Sequence, residues 1–405
     1  MTLESTLANG VRTDPSAASS PLRCRSCGSA GMSVFYEMKG VPVHSCLLLN
    51  DQAEAVNFPR RNIALGFCES CGFIQNTIFD PAMLRYSSAY EEQQSFSPRF
   101  NAFAEALCQD LIQRYDLRQK KVVEIGCGKG DFLVLLCELG KNHGIGIDPS
   151  YISERVASEN VDFIQDFYDE RYANLSGDLI CCRHTLEHIP DTYEFMQTVR
   201  RSVGDRRDCV VFFEVPDVGR VLREIAFWDI YYEHCSYFTL GSLARLFRKT
   251  DFDVIRLAKE FDDQYLILDA RPGHATTRLE AEEDLDELRR DVDFFATNYS
   301  KRLGKWRERV DQIRQKKQRA AIWGSGSKCV SFLSTLGVTD EIGMIVDINP
   351  HRHGRFLAGS GKLISSPEAL REYRPDVVIA MNPIYCEEIG RDLKRMGLGP
   401  ELSAV

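Results

Sequence analysis

The chain has 405 residues, of which 44% are hydrophobic and 27% charged, and its formal net charge is −9. Such a profile belongs to a globular protein of about three domains at roughly 150 residues each. The negative balance argues against a nucleic-acid partner held by phosphate neutralisation, and no apolar run approaches the roughly 18 residues of a membrane-spanning helix.

Residues 1–22 show neither a basic leader nor an apolar stretch after it, and the segment through Pro21 is rich in Ser, Ala and Thr. They are expected to form a tail without a fold of its own, not a secretory signal, and a cytoplasmic location follows. The cysteine count, 14, is high for such a chain. Ten are scattered singly or sit inside apolar runs such as Cys181 and Cys182, where a thiol behaves as a small hydrophobe.

The other four form two CxxC pairs, Cys24/Cys27 and Cys68/Cys71, each followed by a glycine, Gly28 and Gly72. Two intervening residues let both thiolates of a pair reach one ion, and two pairs complete the closed tetrahedral set of a structural Zn²⁺ site. The 40 residues between the pairs require a small β insertion. His44 and Cys46 lie in that insertion and could compete as ligands. Four free thiols or a redox pair are the alternatives, but a redox CxxC opens a helix after a strand, a pattern missing here. A closed site serves folding, not chemistry.

Residues 99–117 have helical periodicity. Lys121–Ile125 then reads as a strand that runs into Gly126-Cys-Gly128-Lys-Gly130 and a second helix. Glycines at such a turn let the backbone approach a ligand closely. The next strand, His143–Ile147, ends in Asp148, about where an acid meets a ribose hydroxyl in a βαβ nucleotide site. The turn is GxGxG, whereas a nicotinamide-binding domain would carry GxGxxG. Further strands are expected at 163–167, 178–182, 210–216, 252–257 and 265–270.

Glu124-Ile-Gly126-Cys-Gly128-Lys-Gly130, with Asp148 closing the second strand, resembles the first motifs of class I S-adenosylmethionine-dependent methyltransferases. The resemblance implies that Glu124, Gly126, Gly128, Asp148, Asp166, Phe167 and His184 line the cofactor site. Asp148 would accept from the ribose hydroxyls and Asp166 from the adenine amine, with Phe167 packed on the adenine face. Gly126 and Gly128 would leave room for the methionine end. His184 follows the fourth strand at the carboxyl edge of the sheet. His188, on the next helix, is expected only to pack or cap.

Trp228–Phe238 is dense in polar and aromatic side chains, with Tyr231, Tyr232, Glu233, His234 and Tyr237. A base near neutral pKa, an acid beside it and a hydroxyl to hold developing charge are what proton abstraction needs. Residues 277–317 form a charged stretch with helical periodicity, expected as one or two linking helices with a solvated face. Arg319–Lys328 then repeats the strand–glycine–helix pattern through Gly324 and Gly326, followed by strands ending in Asp347 and Asn382. That second turn could hold a phosphate through backbone amides and Lys328, or could serve packing alone.

The order of motifs resembles the three-domain sugar C-methyltransferases that act on nucleotide-linked keto-deoxysugars. It runs from the CxxC pairs through Tyr86-Ser-Ser-Ala-Tyr90, the glycine turn and Leu186-Glu-His-Ile189 to Tyr231-x-Glu233-His234-x-Ser236-Tyr237-Phe238. That family implies His234 as the base, with Tyr231 and Tyr90 reaching the substrate, Tyr86 being the second choice to Tyr90, and Glu233 orienting or tuning His234. It also implies a carboxy-terminal domain that closes the cleft and helps hold the nucleotide-sugar. Tyr232 departs from the common family pattern, which has a histidine there, and Glu92-Gln-Gln-Ser95-Phe-Ser97 stands where members known for deoxysugars often vary.

The expected architecture is therefore α/β. A zinc-binding domain spans 23–85, a class I methyltransferase Rossmann-like domain 86–275, a helical linker 276–317 and a C-terminal Rossmann-like α/β domain 318–405. The expected cofactors are S-adenosylmethionine and structural zinc. The expected partner is a small molecule, a nucleotide-linked sugar, with no nucleic acid and no membrane; the oligomeric state is open. Methylation of oxygen, nitrogen or another metabolite's carbon is the alternative chemistry. A binding scaffold with a dead core is the alternative class.

Overall fold

The computed structural model describes residues 22–156, 158–338 and 340–405. The expected tail lies outside the described residues except for Leu22. The amino-terminal strands are β1 (Ser33–Pro42), β2 (Arg60–Phe67) and β3 (Ile74–Asn76). Next come β4 (Lys121–Ile125), β5 (His143–Ile147), β6 (Val161–Ile164), β7 (Leu179–Arg183) and β8 (Val210–Pro216). After these follow the two-residue β9 (Ser236–Tyr237), then β10 (Phe252–Glu260) and β11 (Tyr265–Pro272). The last group is β12 (Ala320–Trp323), β13 (Met344–Val346), β14 (Ile364–Ser365), β15 (Val377–Ala380) and β16 (Glu401–Ala404).

These strands make three sheets. The central one has the order β10-β11-β8-β7-β4-β5-β6, parallel from β8 to β6, with β11 antiparallel to both its neighbours. The chain winds outward from β4 through β5 to β6, then returns to β7 on the other side of β4. Such a reversal opens a crevice at the carboxyl ends of β4 and β7, where open α/β sheets bind ligands. The strands facing it are mostly apolar and buried; all five residues of β7 are buried, Arg183 among them.

Helix Pro98–Tyr115 precedes this sheet. Ser97 caps it by accepting from the amide of Phe100, and proline occupies its first position, where no backbone donor is needed. Its buried residues, Ala104, Leu107, Cys108, Leu111 and Ile112, recur at helical spacing and meet the core beside β4.

The carboxy-terminal sheet is wholly parallel, in the order β14-β13-β12-β15-β16. It reverses between β12 and β15, so its own crevice lies beyond Gly324. A single helix, Leu285–Gln315, joins it to the rest of the chain. At 1.5 Å per residue this helix is about 46 Å long. One side of it is buried, not solvated: Phe295 meets Tyr36 of the first sheet, while Trp306 meets Phe332 of the carboxy-terminal unit.

The amino-terminal sheet has the order β1-β2-β3-β9, so its last strand comes from the polar stretch far downstream. Its core is shared as well. Tyr36, Met38, Ile63 and Leu65 belong to one apolar cluster with Phe227, Trp228, Phe332 and Ile345. The cysteine pairs pack instead with Phe213, Phe238 and Phe247 of the central unit.

Candidate active site

A cavity of about 1000 Å³ opens at the crevice of the central sheet and is walled on its far side by the carboxy-terminal unit. Its near wall is the glycine turn. Gly126 has φ +70° and Gly130 φ +95°, both left-handed. A Cβ on Gly126 would lie 1.9 Å from Thr185 Oγ1, and one on Gly130 2.5 Å from the Phe163 ring. Glycine is therefore required at both positions by conformation and by space. Asp148 accepts from the amide of Gly128 at 2.9 Å and from that of Ser150 at 2.6 Å, which aims its carboxylate at the turn.

Glu124 is buried below the turn, and burial raises its carboxyl to about 8 even with Arg183 nearby. Phe167 is 56% exposed at the rim and lines the cavity. Asp166 stands apart, its carboxylate engaged by Arg171 at 2.7 Å and Tyr172 at 2.7 Å. His184 lines the cavity in a left-handed conformation, φ +48°. Its Nε2 lies 2.7 Å from Glu214 Oε1. Burial disfavours a charged ring there, but Glu214 and Glu187 together raise it to about 9.

The polar stretch Tyr231–Phe238 is clamped from two sides. The Ser236 hydroxyl donates to the Ile189 carbonyl at 2.7 Å and the Cys235 amide to that of Glu187 at 2.9 Å. On the other side β9 pairs with β3. This brings Tyr231 and His234 to the cavity, with Tyr231 Oη 2.9 Å from His234 Nε2. His188 faces the same point, its ring centroid 4.8 Å from that of His234. Its Nδ1 lies 2.8 Å from Tyr86 Oη and 3.1 Å from the Glu233 carbonyl. His188, expected to pack or cap, thus belongs to the cluster.

Burial holds the His234 ring well below the usual histidine range, and the positive field of His188, His184 and Lys328 acts the same way. The ring is neutral at pH 7 and has a lone pair to offer. Tyr90 and Tyr86 also line the cavity, their rings 5.1 Å apart.

Glu233 does not touch the His234 ring. Its carboxylate is fully buried against His44 Nδ1 at 3.2 Å and the Ser45 amide at 3.1 Å, with the Ser45 hydroxyl bonded as well. Burial favours the neutral acid, but these partners hold the carboxyl below its ordinary range. Its role in the structure is to tie the stretch to the amino-terminal sheet. Tyr232 likewise turns away from the cavity and accepts from the Asp80 amide at 2.9 Å.

The four expected cysteine ligands are together. Cys24 and Cys71 Sγ are 3.6 Å apart, as are Cys27 and Cys68. Sulfurs placed tetrahedrally at about 2.3 Å from one ion would be about 3.8 Å apart. The donor set and spacing therefore fit a Zn²⁺-type ion. His44 and Cys46 play no part in this cluster: His44 serves Glu233, and Cys46 lines the cavity. Arg245 and Lys249 bond the carbonyls of Cys71 and Cys27, seating the cluster on helix Leu240–Lys249.

Comparison with known proteins agrees with this geometry. Residues 100–257 match the family model of a methyltransferase domain, and residues 271–398 match that of a C-methyltransferase C-terminal domain. The chain is a class I S-adenosylmethionine-dependent methyltransferase. It is 27% identical over 286 residues to C-methyltransferase NovU of Streptomyces niveus, which covers 66% of this chain and 67% of that protein. It is 29% identical over 107 residues to ribosomal protein L11 methyltransferase of Haemophilus influenzae, which covers 25% of this chain and only 36% of that protein. Among solved structures, magnesium protoporphyrin IX methyltransferase (ChlM) from Synechocystis PCC 6803 is 15% identical, with a TM-score of 0.34 over 43% of this chain and 84% of that one. The 1,6-didemethyltoxoflavin-N1-methyltransferase of Burkholderia thailandensis is 16% identical, with a TM-score of 0.33 over 44% of this chain and 81% of that one.

In the methyltransferase, the far wall of the cavity departs from one expectation. Lys328 does not project as a free phosphate ligand. Its Nζ is paired with Asp229 at 2.9 Å, and Asp229 is also held by Arg220 at 2.6 Å. Asp347 accepts from the Ser325 amide at 2.7 Å, repeating in the second turn what Asp148 does in the first. No helix among the described residues is long and apolar enough to cross a membrane. Ser45 and Glu92 were not legible as site residues, and His44 was legible only as a competing metal ligand, because each meets its partners through segments remote in sequence.

Proposed function

We propose that the methyltransferase acts on a carbon atom next to a ketone in a nucleotide-linked sugar. The observation that carries the reading is the buried, neutral His234 facing the same cavity as the glycine turn, with Tyr231 bonded to its ring. A neutral imidazole shielded from water suits removal of a proton from carbon. Similarity to a C-methyltransferase and to a C-methyltransferase C-terminal domain supports carbon as the acceptor.

In this reading the cofactor supplies an electrophilic methyl group. Glu124, Gly126, Gly128, Asp148, Phe167 and His184 make up its site, while Asp166 stays outside the cavity in its contacts with Arg171 and Tyr172. His234 accepts the proton from the carbon beside the ketone, leaving the electron pair on an enolate. Tyr231 or Tyr90 donates to the enolate oxygen, and Glu233 holds the His234 segment in place. The four cysteines hold a structural Zn²⁺ remote from the reacting atoms. The division of the chain near residues 85 and 275, and the role of the carboxy-terminal unit in holding the nucleotide, belong to the same reading.

The test is incubation with labelled S-adenosylmethionine and a panel of nucleotide-linked keto-sugars, followed by NMR of the product. A new methyl on carbon, preceded by solvent exchange of the α-proton, is expected. An O-methyl or N-methyl product, or exchange that survives His234→Asn at the wild-type rate, would refute the assignment.

A further inference from the structure

The segment just after Tyr90 crosses the glycine turn and is tied down on both sides. Lys129 Nζ donates to the Tyr90 carbonyl at 2.8 Å. The next residue, Glu91, is fully buried, with Arg155 at 2.8 Å and Asn349 Nδ2 at 2.9 Å on its carboxylate, while Arg352 bonds its carbonyl. These ties connect both α/β units and leave Glu92 little freedom.

Glu92 lines the cavity and turns toward Gly128. A Cβ on Gly128 would lie 2.7 Å from Glu92 Oε1. The other oxygen, Oε2, is buried and has no hydrogen-bond partner among the described residues. On its amide side the same glycine donates to Asp148 at 2.9 Å. Two carboxyl groups therefore flank one residue of the turn, and one of them carries a buried oxygen with nothing to bond. A buried polar atom left in that state marks a missing partner.

The chemistry of the pair limits what that partner is. Burial raises the Glu92 carboxyl to about 8, opposed by Lys129 and assisted by the charge of Asp148. A neutral carboxyl both donates and accepts, and it can stand beside a charged one without repulsion. The complement is a pair of adjacent groups that each donate and accept. A ribose cis-diol is such a pair, and an acid at the position of Asp148 is where a ribose is met in this kind of fold.

We infer that Glu92 is a cofactor-binding residue which, together with Asp148, grips the 2′,3′-diol of the cofactor ribose. The inference rests on the reading of Asp148 as a ribose ligand. It extends the cofactor site to the segment that precedes helix Pro98–Tyr115 and ties cofactor capture to the strap on which Tyr90 sits.

Calorimetry with S-adenosylhomocysteine and its 2′-deoxy and 3′-deoxy analogues tests this on the zinc-loaded, full-length enzyme. Glu92→Ala is expected to weaken S-adenosylhomocysteine at least tenfold. Glu92→Gln, which still donates and accepts, stays within about threefold. For one of the two deoxy analogues the Glu92→Ala penalty falls below twofold. Glu92→Asp keeps a carboxyl but withdraws it by one methylene. It is expected to show the same loss as alanine and covers the case of a destabilised Glu92→Ala. Wild-type affinity in Glu92→Ala and Glu92→Asp would overturn the inference. So would a penalty of equal size for S-adenosylhomocysteine and both analogues. Asp148→Asn is measured alongside: no loss there would defeat the ribose reading of Asp148 itself, a result separable from either Glu92 outcome.

Discussion

The backbone amide of Ser45 donates to both carboxylate oxygens of Glu233, each at 3.1 Å, across 188 residues of sequence. With His44 beside it, this contact fastens the His234 segment to the amino-terminal sheet. The small sheet that follows the first cysteine pair is therefore part of the frame of the active site.

Removing that fastening has a defined cost. Glu233→Ala leaves the His44 Nδ1–H and the Ser45 amide buried without their acceptor, and each buried donor left unsatisfied typically costs about 1–3 kcal/mol. Denaturant unfolding should show a lower midpoint with an unchanged slope. Turnover should fall as well, because the His234 segment loses its anchor. S-adenosylhomocysteine affinity, set on the opposite wall, should hold.

His234→Asn should reduce turnover by about 10²–10⁴-fold, the usual contribution of a positioned base. Tyr231→Phe removes the hydroxyl 2.9 Å from His234 Nε2 and should cost less, since Tyr90 remains in the cavity. Single-turnover rates separate the two variants, and α-proton exchange should be lost with the first. Unchanged exchange in His234→Asn would mean that another group takes the proton.

The His184–Glu214 pair predicts a pH window for stability. His184 is raised from 6.5 to about 9, so its contribution is complete below 6.5 and is lost as pH rises through 9. Glu214 is lowered from 4.5 to about 2, so its contribution is complete above 4.5 and is lost as pH falls toward 2. Both contributions are whole between 4.5 and 6.5. Urea midpoints measured across pH should decline on the alkaline side of that window, and Glu214→Gln should remove most of the decline that comes from His184.

Metal removal should reach the active site. Strand β3 follows Cys71 within three residues and carries β9, which in turn follows His234 by two. Elemental analysis should find one zinc per chain. Stripping it, or replacing Cys71 with serine, should lower both thermal stability and turnover. Full turnover in metal-free protein would separate the cluster from the Tyr231–Phe238 stretch.

Much of the chemistry was legible in the sequence because it resides in short, local patterns. The cysteine spacing, the glycine turn with Asp148 some 20 residues on, and the Tyr231–His234 stretch each depend on nearby backbone geometry, so residue order alone announces them. Periodicity marked helix Pro98–Tyr115 for the same reason: one buried face repeats every three or four residues.

What only the tertiary structure decided is which groups meet across the chain. Glu233 and His234 are adjacent, yet their side chains diverge, one toward His44 and Ser45 and the other into the cavity. His188 and Lys328 show the same limit. The first joins the Tyr231–His234 cluster although it sits on a short helical turn, and the second is taken by Asp229 although it follows a phosphate-type turn. A hydrogen bond or ion pair between remote segments leaves no periodic trace in either one. The order of residues supplied the chemical groups and the local turns; the packing of three sheets around one cavity determined their partners.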